Sequence, residues 1–158
     1  MKRFLILFAV VANLVLADAV TKELAAGYLR GAAAVSVIPG VFDLAYVENR
    51  GCAWGMFQGQ VWPLAAFGLV ALAFLIWKRK SVFPAASRLS AIAEPLLYAG
   101  IVGNVIDRLF RGYVIDMFDW HWGVHHFPCF NVADSLICIS VGLMLLASAL
   151  EKPKKRAT

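Results

Sequence analysis

Four apolar stretches most constrain what this chain can fold into. They cover residues of about 4–20, 61–77, 91–110 and 131–150. Each is close to the roughly 20 residues that an α-helix needs to cross the hydrocarbon core of a bilayer. The chain is 61% hydrophobic and only 16% charged, whereas a soluble domain is about half apolar and about a quarter charged. The sequence therefore predicts an α-helical membrane protein, a single polytopic domain over residues 1–158 with four transmembrane helices.

The basic residues predict how these helices are oriented. Most of the 15 Lys and Arg residues lie before the first span, between the second and third, or after the fourth. Lys and Arg concentrate in cytoplasmic segments, so we expect both termini, including the tail 151–158, in the cytoplasm. The same placement accounts for the net charge of +5 and argues against a nucleic-acid partner. The basic residues on this side are Lys2, Arg3, Lys78, Arg79, Lys80, Arg88, Lys152, Lys154, Lys155 and Arg156.

The N-terminus has an alternative interpretation. Lys2-Arg3, an apolar run and Ala17-Asp18-Ala19 together resemble a secretory signal peptide with a small-residue cleavage site. The three further apolar spans favour a retained first helix.

Two longer segments are predicted on the outer side. In the first, residues 34–40 and 41–49 are rich in β-branched and aromatic side chains, which predicts a small extracytoplasmic β-sheet within the region 30–58, between helices 1 and 2. The second, residues 111–130, contains several aromatic rings and three histidines. We expect it to be an amphipathic aromatic segment at the membrane interface, between helices 3 and 4.

Polar residues collect at the outer ends of the predicted helices. The members are Asp18, Lys22, Asn49, Asn104, Asp107, Arg108, Asp116, Asn131 and Asp134. Each has a structural alternative: Asp18 and Lys22 can form a helix-end ion pair, Asn131 can be an N-cap, and Arg108 can extend to the interface. Glu94 lies apart from them and is expected to be a helix-end charge.

Metal and disulfide chemistry are only weakly indicated. His121, His125 and His126 do not form an established zinc pattern, and the spacing of the three cysteines fits no zinc or redox motif. We therefore predict no metal and no cofactor. Cys52 and Cys129 both fall on the outer side, so a disulfide between them is conceivable.

Asp116 and Asp134 are the strongest candidates for chemistry. A carboxylate near a bilayer is costly unless it is paired, solvated or neutralised. Two carboxyl groups that share a site acquire different pKa values, one acting as acid and the other as base. An aspartyl protease uses such a pair of carboxyl groups.

Five sequence blocks then resemble those of the bacterial lipoprotein signal peptidases, the type II signal peptidases. They occur in order, at the predicted outer helix ends. The blocks are Asp18-Ala19-Val20-Thr21-Lys22, Asn49-Arg50-Gly51-Cys52-Ala53-Trp54-Gly55, Gly103-Asn104-Val105-Ile106-Asp107-Arg108, Val114-Ile115-Asp116-Met117-Phe118 and Phe127-Pro128-Cys129-Phe130-Asn131-Val132-Ala133-Asp134-Ser135.

The resemblance implies an intramembrane aspartyl endopeptidase of the bacterial inner membrane whose active site faces the periplasm. Its substrates would be prolipoproteins, cut on the N-terminal side of an S-diacylglyceryl cysteine, with membrane lipids as surroundings and globomycin-type compounds as inhibitors. Asp116 and Asp134 match the catalytic pair. The substrate-binding or supporting positions would be Asp18, Lys22, Asn49, Gly51, Asn104, Arg108, Asn131 and Ala133.

The chain departs from the family's usual residues at Cys52, Trp54 and Cys129. Smaller residues are common at the two cysteine positions and Phe at the tryptophan, so these changes bear on substrate preference.

Two other function classes remain open from the residues alone. A small ion or proton transporter would also carry intramembrane Asp and Arg, but it predicts polar residues through the full bilayer depth. A non-catalytic membrane scaffold would tolerate loss of both aspartates.

Overall fold

The computed structural model describes residues 2–84 and 87–150. Two strands follow the first helix, and two more lie between the last two helices. The elements are α1 Lys2–Leu29, β1 Val35–Ile38, β2 Phe42–Asn49, α2 Val61–Trp77, α3 Arg79–Val82, α4 Arg88–Phe110, β3 Val114–Trp122, β4 His125–His126 and α5 Val132–Leu150.

Within the described residues, three helices are long and apolar enough to cross a membrane by length and composition. These are α1, α4 and α5. The second predicted span, which is α2, is also apolar but has 17 residues, at the lower end of the range for a spanning helix.

The first helix is longer than predicted. The sequence suggested an end near residue 20, yet α1 continues to Leu29 and comprises 28 residues. A helix of this length extends about 42 Å, which exceeds the roughly 30 Å hydrocarbon core. The chain leaves the helix where Gly31 adopts a positive φ of 76°. The extra turns carry Lys22 and Ala25, both buried.

Helix α4 lies at the centre of the bundle and packs against α1, α2 and α5. Two glycines permit this close packing. A Cβ atom on Gly100 would lie 2.5 Å from the carbonyl oxygen of Ala133 in α5, and one on Gly103 would lie 2.6 Å from Oδ2 of Asp18 in α1. The backbone of α4 therefore approaches both neighbouring helices directly beside the polar residues.

The sheet draws on both outer segments. Its strand order is β1-β2-β3-β4, and every pairing is antiparallel. Strands β1 and β2 pair with each other and confirm the small sheet that was predicted within residues 30–58. Most of residues 111–130, which the sequence predicts as an amphipathic aromatic segment, build the central strand β3 and the short strand β4.

The pairing of β2 with β3 decides what lies near Asp116. Val47 is opposite Asp116 and Asn49 is opposite Val114. Residues two apart on a strand share a face, so Asn49 and Asp116 are diagonal neighbours on the same side of the sheet.

Glu94 is not the simple helix-end charge that the sequence suggested. It is only 2% exposed and forms a two-pronged ion pair with Arg79 of α3. Phe83 packs edge-on against Tyr98 close by. An ion pair between the buried Glu94 and the partly exposed Arg79 therefore fastens the segment between α2 and α4 onto α4.

Candidate functional site

Asp116 is placed in the interior by strand β3. It is 1% exposed, and each carboxylate oxygen accepts one amide hydrogen bond. Asn49 Nδ2 donates to Oδ2 at 2.9 Å, and Asn131 Nδ2 donates to Oδ1 at 2.7 Å. The short backbone bridge between Phe118 and Phe130 brings Asn131 next to the strand. These amides fix the orientation of the carboxyl group.

Asp134 is placed by the start of helix α5. Asn131 immediately precedes that helix, and its Oδ1 accepts from Asp134 N at 2.9 Å, while Asp134 Oδ2 accepts from Asn131 N at 3.2 Å. This reciprocal arrangement is a capping box. The N-cap interpretation of Asn131 is therefore correct, and its amide additionally serves Asp116.

A chain of amides connects the two carboxyl groups. Asn131 Nδ2 also donates to Asn104 Oδ1 at 3.3 Å, and Asn104 Nδ2 donates to Asp134 Oδ1 at 2.7 Å. Asn104 and Asn131 thus hold Asp134 and Asp116 in one hydrogen-bonded network. Neutral amides orient the carboxyl groups without fixing their charge.

A buried ion cluster supports Asn104 from behind. Lys22, with 0% exposure, donates to Asp18 Oδ2 at 2.7 Å and to Asn104 Oδ1 at 3.2 Å. Its Nζ lies 3.0 Å from Asp107 Oδ2. Asp18 Oδ1 also accepts from the backbone N of Ala133 at 2.8 Å. The sequence placed Asp107 among the polar residues at the outer helix ends but not among the site residues, and the structure shows it as a third carboxylate that supports the site.

Arg108 connects α4 to the loop 50–60. Its Nη2 donates to the carbonyl oxygen of Gly51 at 3.0 Å and its Nη1 to that of Asn104 at 3.3 Å. Gly51 N in turn donates to Asn49 Oδ1 at 2.9 Å. A Cβ on Gly51 would lie 2.5 Å from the carbonyl oxygen of Met56, so this position accepts only glycine without a shift of the loop.

The environment of Asp116 changes its protonation. Burial raises the pKa of this carboxyl group to about 7, and the nearby charge of Asp134 adds to the increase, against the opposing effect of the Asn49 and Asn131 hydrogen bonds. Asp116 is therefore partly protonated at neutral pH. An acid partner in a two-carboxyl mechanism requires this state.

Both carboxyl groups line a cavity of about 460 Å³, here called the aspartate cavity. Asn49, Asn104 and Arg108 also line it, and the rest of its wall is mostly apolar. A second cavity of about 790 Å³ lies between α2 and α4 and reaches Asn104, Arg108 and Asp134. Its apolar lining includes Phe67, Ala71, Leu97, Ile101 and Val105. The arrangement suits a ligand that is largely apolar with a polar group at the carboxyl pair.

The structure brings all of the predicted site residues into one connected region. Asp18 and Lys22 differ from expectation in one respect. They are fully buried and are absent from the lining of the two large cavities, so they support the site and do not face the cleft. Ala133 contributes its backbone N–H. Across residues 2–84 and 87–150, no cluster of three or more metal-binding side chains occurs.

Comparison with known proteins gives a consistent result. The model of the family described as Signal peptidase (SPase) II matches residues 10–150. The chain is 39% identical over 148 residues to the lipoprotein signal peptidase of Syntrophotalea carbinolica, covering 92% of this chain and 91% of that protein. It is 40% identical over 139 residues to that of Clostridium acetobutylicum, covering 87% and 88%.

A solved structure of a bacterial membrane enzyme agrees in fold. It has a TM-score of 0.79 and 28% sequence identity, and the match covers 96% of this chain and 93% of that one. The family model, the relatives and the shared fold together show that this chain belongs to the signal peptidase II family, a family of membrane proteases.

Proposed function

We propose that this protein is an intramembrane aspartic endopeptidase that removes signal peptides from prolipoproteins. It would cut on the N-terminal side of an S-diacylglyceryl cysteine, using Asp116 and Asp134. The observation that carries the proposal is the pair of carboxyl groups at one cavity, joined by the Asn104–Asn131 amide chain. Membership of the signal peptidase II family and the names of the relatives support the substrate class.

The chemistry needs one ionised and one protonated carboxyl group. The ionised group takes a proton from a water molecule, whose oxygen attacks the carbonyl carbon of the scissile peptide bond. The protonated group donates a hydrogen bond to the carbonyl oxygen as negative charge develops there. Collapse of the tetrahedral intermediate breaks the C–N bond, and the leaving nitrogen receives a proton from the pair. The partly protonated Asp116 supports this division, and the proton is shared by the coupled pair.

Arg108 and the asparagines prepare the site without taking part in proton transfer. Asn49, Asn104 and Asn131 hold the carboxyl groups, while Arg108 holds the Gly51 carbonyl in place. The mostly apolar walls of the two cavities provide space for the apolar parts of a lipidated substrate. Globomycin-type inhibitors would occupy the same region. No cofactor is required.

The proposed setting is the bacterial inner membrane, with four spans, both termini cytoplasmic and the carboxyl pair facing the periplasm. The distribution of Lys and Arg supports this orientation. Lipid acyl chains would surround the exposed apolar faces of α1, α2 and α5, where Phe8, Phe67 and Leu145 are among the exposed side chains. The substrate's acyl chains would remain in hydrocarbon while its peptide bond meets water.

A cleavage assay with purified protein tests the proposal. A precursor peptide with a diacylglyceryl cysteine and the same peptide without the lipid are incubated with the enzyme, and mass spectrometry locates the cut. We expect cleavage of the lipidated peptide before its cysteine and no cleavage of the other. Equal turnover of both peptides would contradict the substrate class. Activity that EDTA abolishes and a divalent ion restores would contradict the aspartic mechanism.

A further inference from the structure

All three cysteines of the chain line the aspartate cavity. Cys52, Cys129 and Cys138 are each part of its wall and are free thiols. Cys52 and Cys129 also line a smaller cleft of about 240 Å³, together with Asn49 and Asp116. Two thiols therefore lie at the edge of the carboxyl site, and the reaction proposed above uses neither.

The two segments that carry these thiols already touch. Trp54, two residues after Cys52, makes an edge-on contact with Phe127, two residues before Cys129, with ring centroids 5.6 Å apart. Cys52 N donates to the Met56 carbonyl at 2.9 Å, which holds the thiol-bearing turn of the loop. Both segments therefore form walls of the same cleft, with one thiol on each segment.

We propose that Cys52 and Cys129 form a reversible modification site, at which a disulfide-bearing oxidant joins them and closes the aspartate cavity to substrate. The inference rests on the proposed function and its outward-facing site, because thiols persist as disulfides in oxidising compartments such as the periplasm. The oxidant is of the disulfide class, either a small molecule such as oxidised glutathione or a protein disulfide.

The reaction balances as two thiol–disulfide exchanges. The Cys52 thiolate attacks one sulfur of the external disulfide, which gives a mixed disulfide and releases one thiol. The Cys129 sulfur then attacks the Cys52 sulfur and releases the second thiol. The pair loses two electrons and two protons, and the external disulfide becomes two thiols. Burial raises the pKa of Cys129 to about 11, so its thiol gives up its proton before the second exchange.

The disulfide would close the cavity because the residues next to each thiol are held in place. Gly51, next to Cys52, is held by Arg108 and Asn49, while Phe130, next to Cys129, is bonded to strand β3 through Phe118. A bond between Cys52 and Cys129 would cross the cleft that Asp116 lines. Substrate would then lose this route to the carboxyl pair.

The test compares oxidised and reduced forms of the purified full chain. The protein is treated with oxidised glutathione or with dithiothreitol, and non-reducing mass spectrometry identifies the bond. We expect a Cys52–Cys129 disulfide and at least a tenfold lower cleavage rate in the oxidised form, restored by dithiothreitol. Each variant is compared with its own reduced form. In Cys52→Ala and in Cys129→Ala, the oxidised and reduced forms should cleave at the same rate. Cys138→Ala is the matched control and should keep the difference between the two rates.

A second readout does not depend on proteolysis. Cys138 lines the same cavity, so closure should slow its alkylation by a polar maleimide. Absence of the Cys52–Cys129 bond would overturn the inference, as would a bond that changes neither cleavage nor Cys138 labelling. If the reduced protein cleaves no lipidated peptide, the proposed function fails, while disulfide formation and Cys138 labelling still decide this inference.

Discussion

Carboxyl groups with little or partial exposure occur at both ends of the helix bundle, but they are held by different kinds of partner. At the end predicted to be cytoplasmic, Glu94 is paired with the guanidinium of Arg79. At the other end, the hydrogen bonds that Asp116 and Asp134 accept from described residues all come from amides. A carboxylate with a cation beside it forms an ion pair that holds neighbouring elements together. A carboxyl group held by neutral amides can gain or lose a proton while its position stays fixed.

The outer end itself contains both kinds of carboxylate. Asp18 and Asp107 share the ammonium of Lys22, and Asp107 also pairs with Arg111 at 3.1 Å. These groups lie behind Asn104, whereas Asp116 and Asp134 line the cavity. The comparison separates supporting carboxylates from those proposed to be reactive, and the following predictions test that separation.

The largest effect is expected from neutralising either reactive carboxyl group. Asp116→Asn and Asp134→Asn should each lower cleavage of a lipidated precursor by about 10³-fold or more, because an amide cannot exchange the required proton. Asp119→Asn is the matched control, since Asp119 lies on the same strand and contacts His126; it should keep cleavage within about threefold of wild type. Substantial turnover by either of the first two variants would remove that residue from the catalytic pair.

The next effect concerns the supporting cluster. Lys22→Met should lower the free energy of unfolding by about 3–5 kcal/mol, because the buried carboxylate of Asp18 loses its cation and Asp107 keeps only Arg111. Thermal unfolding in detergent measures this change. The triple variant Lys22→Met, Asp18→Leu, Asp107→Leu should recover part of the lost free energy of unfolding, because the uncompensated carboxylates are removed together with the ammonium group. A silent Lys22→Met would mean that this cluster contributes nothing to the fold.

Asp116 should itself cost stability when it is ionised. Its pKa is raised to about 7, so the folded protein binds this proton more tightly than the unfolded chain does. Stability from this group is fully present below about pH 4 and is lost as the pH rises through 7. Asp116→Asn should therefore be more stable than wild type at pH 8, by up to about 4 kcal/mol, and equally stable near pH 4. Unfolding temperatures at both pH values measure the difference, and a less stable variant at pH 8 would contradict it.

The smallest of these effects lies at the opposite end of the bundle. Glu94→Gln should lower stability by about 2 kcal/mol, because hydrogen bonds to a charged partner are replaced by weaker ones and Arg79 still reaches solvent. Cleavage per folded molecule should not change. A loss of cleavage with unchanged stability would show that the two ends of the bundle are coupled, and would contradict a purely structural role for Glu94.

Much of the site could be predicted because its residues lie in local patterns. The i,i+4 spacing of Asp18 and Lys22 and the Asn131-x-x-Asp134 spacing each describe contacts within one helical turn. Both contacts occur in the structure. The apolar spans could also be predicted, because length and hydrophobicity alone define a membrane-length helix.

What the sequence could not provide depends on distant partners. Strand β3 contains a run of rings and histidines that resembles an interfacial segment until it is paired with β2, about 70 residues earlier in the chain. Asp107 gained its role from Lys22 on another helix, and Glu94 from Arg79 on a neighbouring one. The end of α1 was misplaced because Lys22, a charge that argued for an aqueous end, is buried among carboxylates.

The amide chain between the carboxyl groups also bears on how the protein is made. Its members come from α4, β3 and the start of α5, and its support comes from α1 and β2. During synthesis the chain emerges from its N-terminus, so Asn131 and Asp134 are among the last of these residues to arrive. A partly inserted chain therefore lacks one of the two carboxyl groups and the amide that orients the other. With Asp116 and Asp134 as the proposed catalytic pair, hydrolysis would begin only after the final helix docks, which would protect newly made membrane proteins nearby from an unfinished protease.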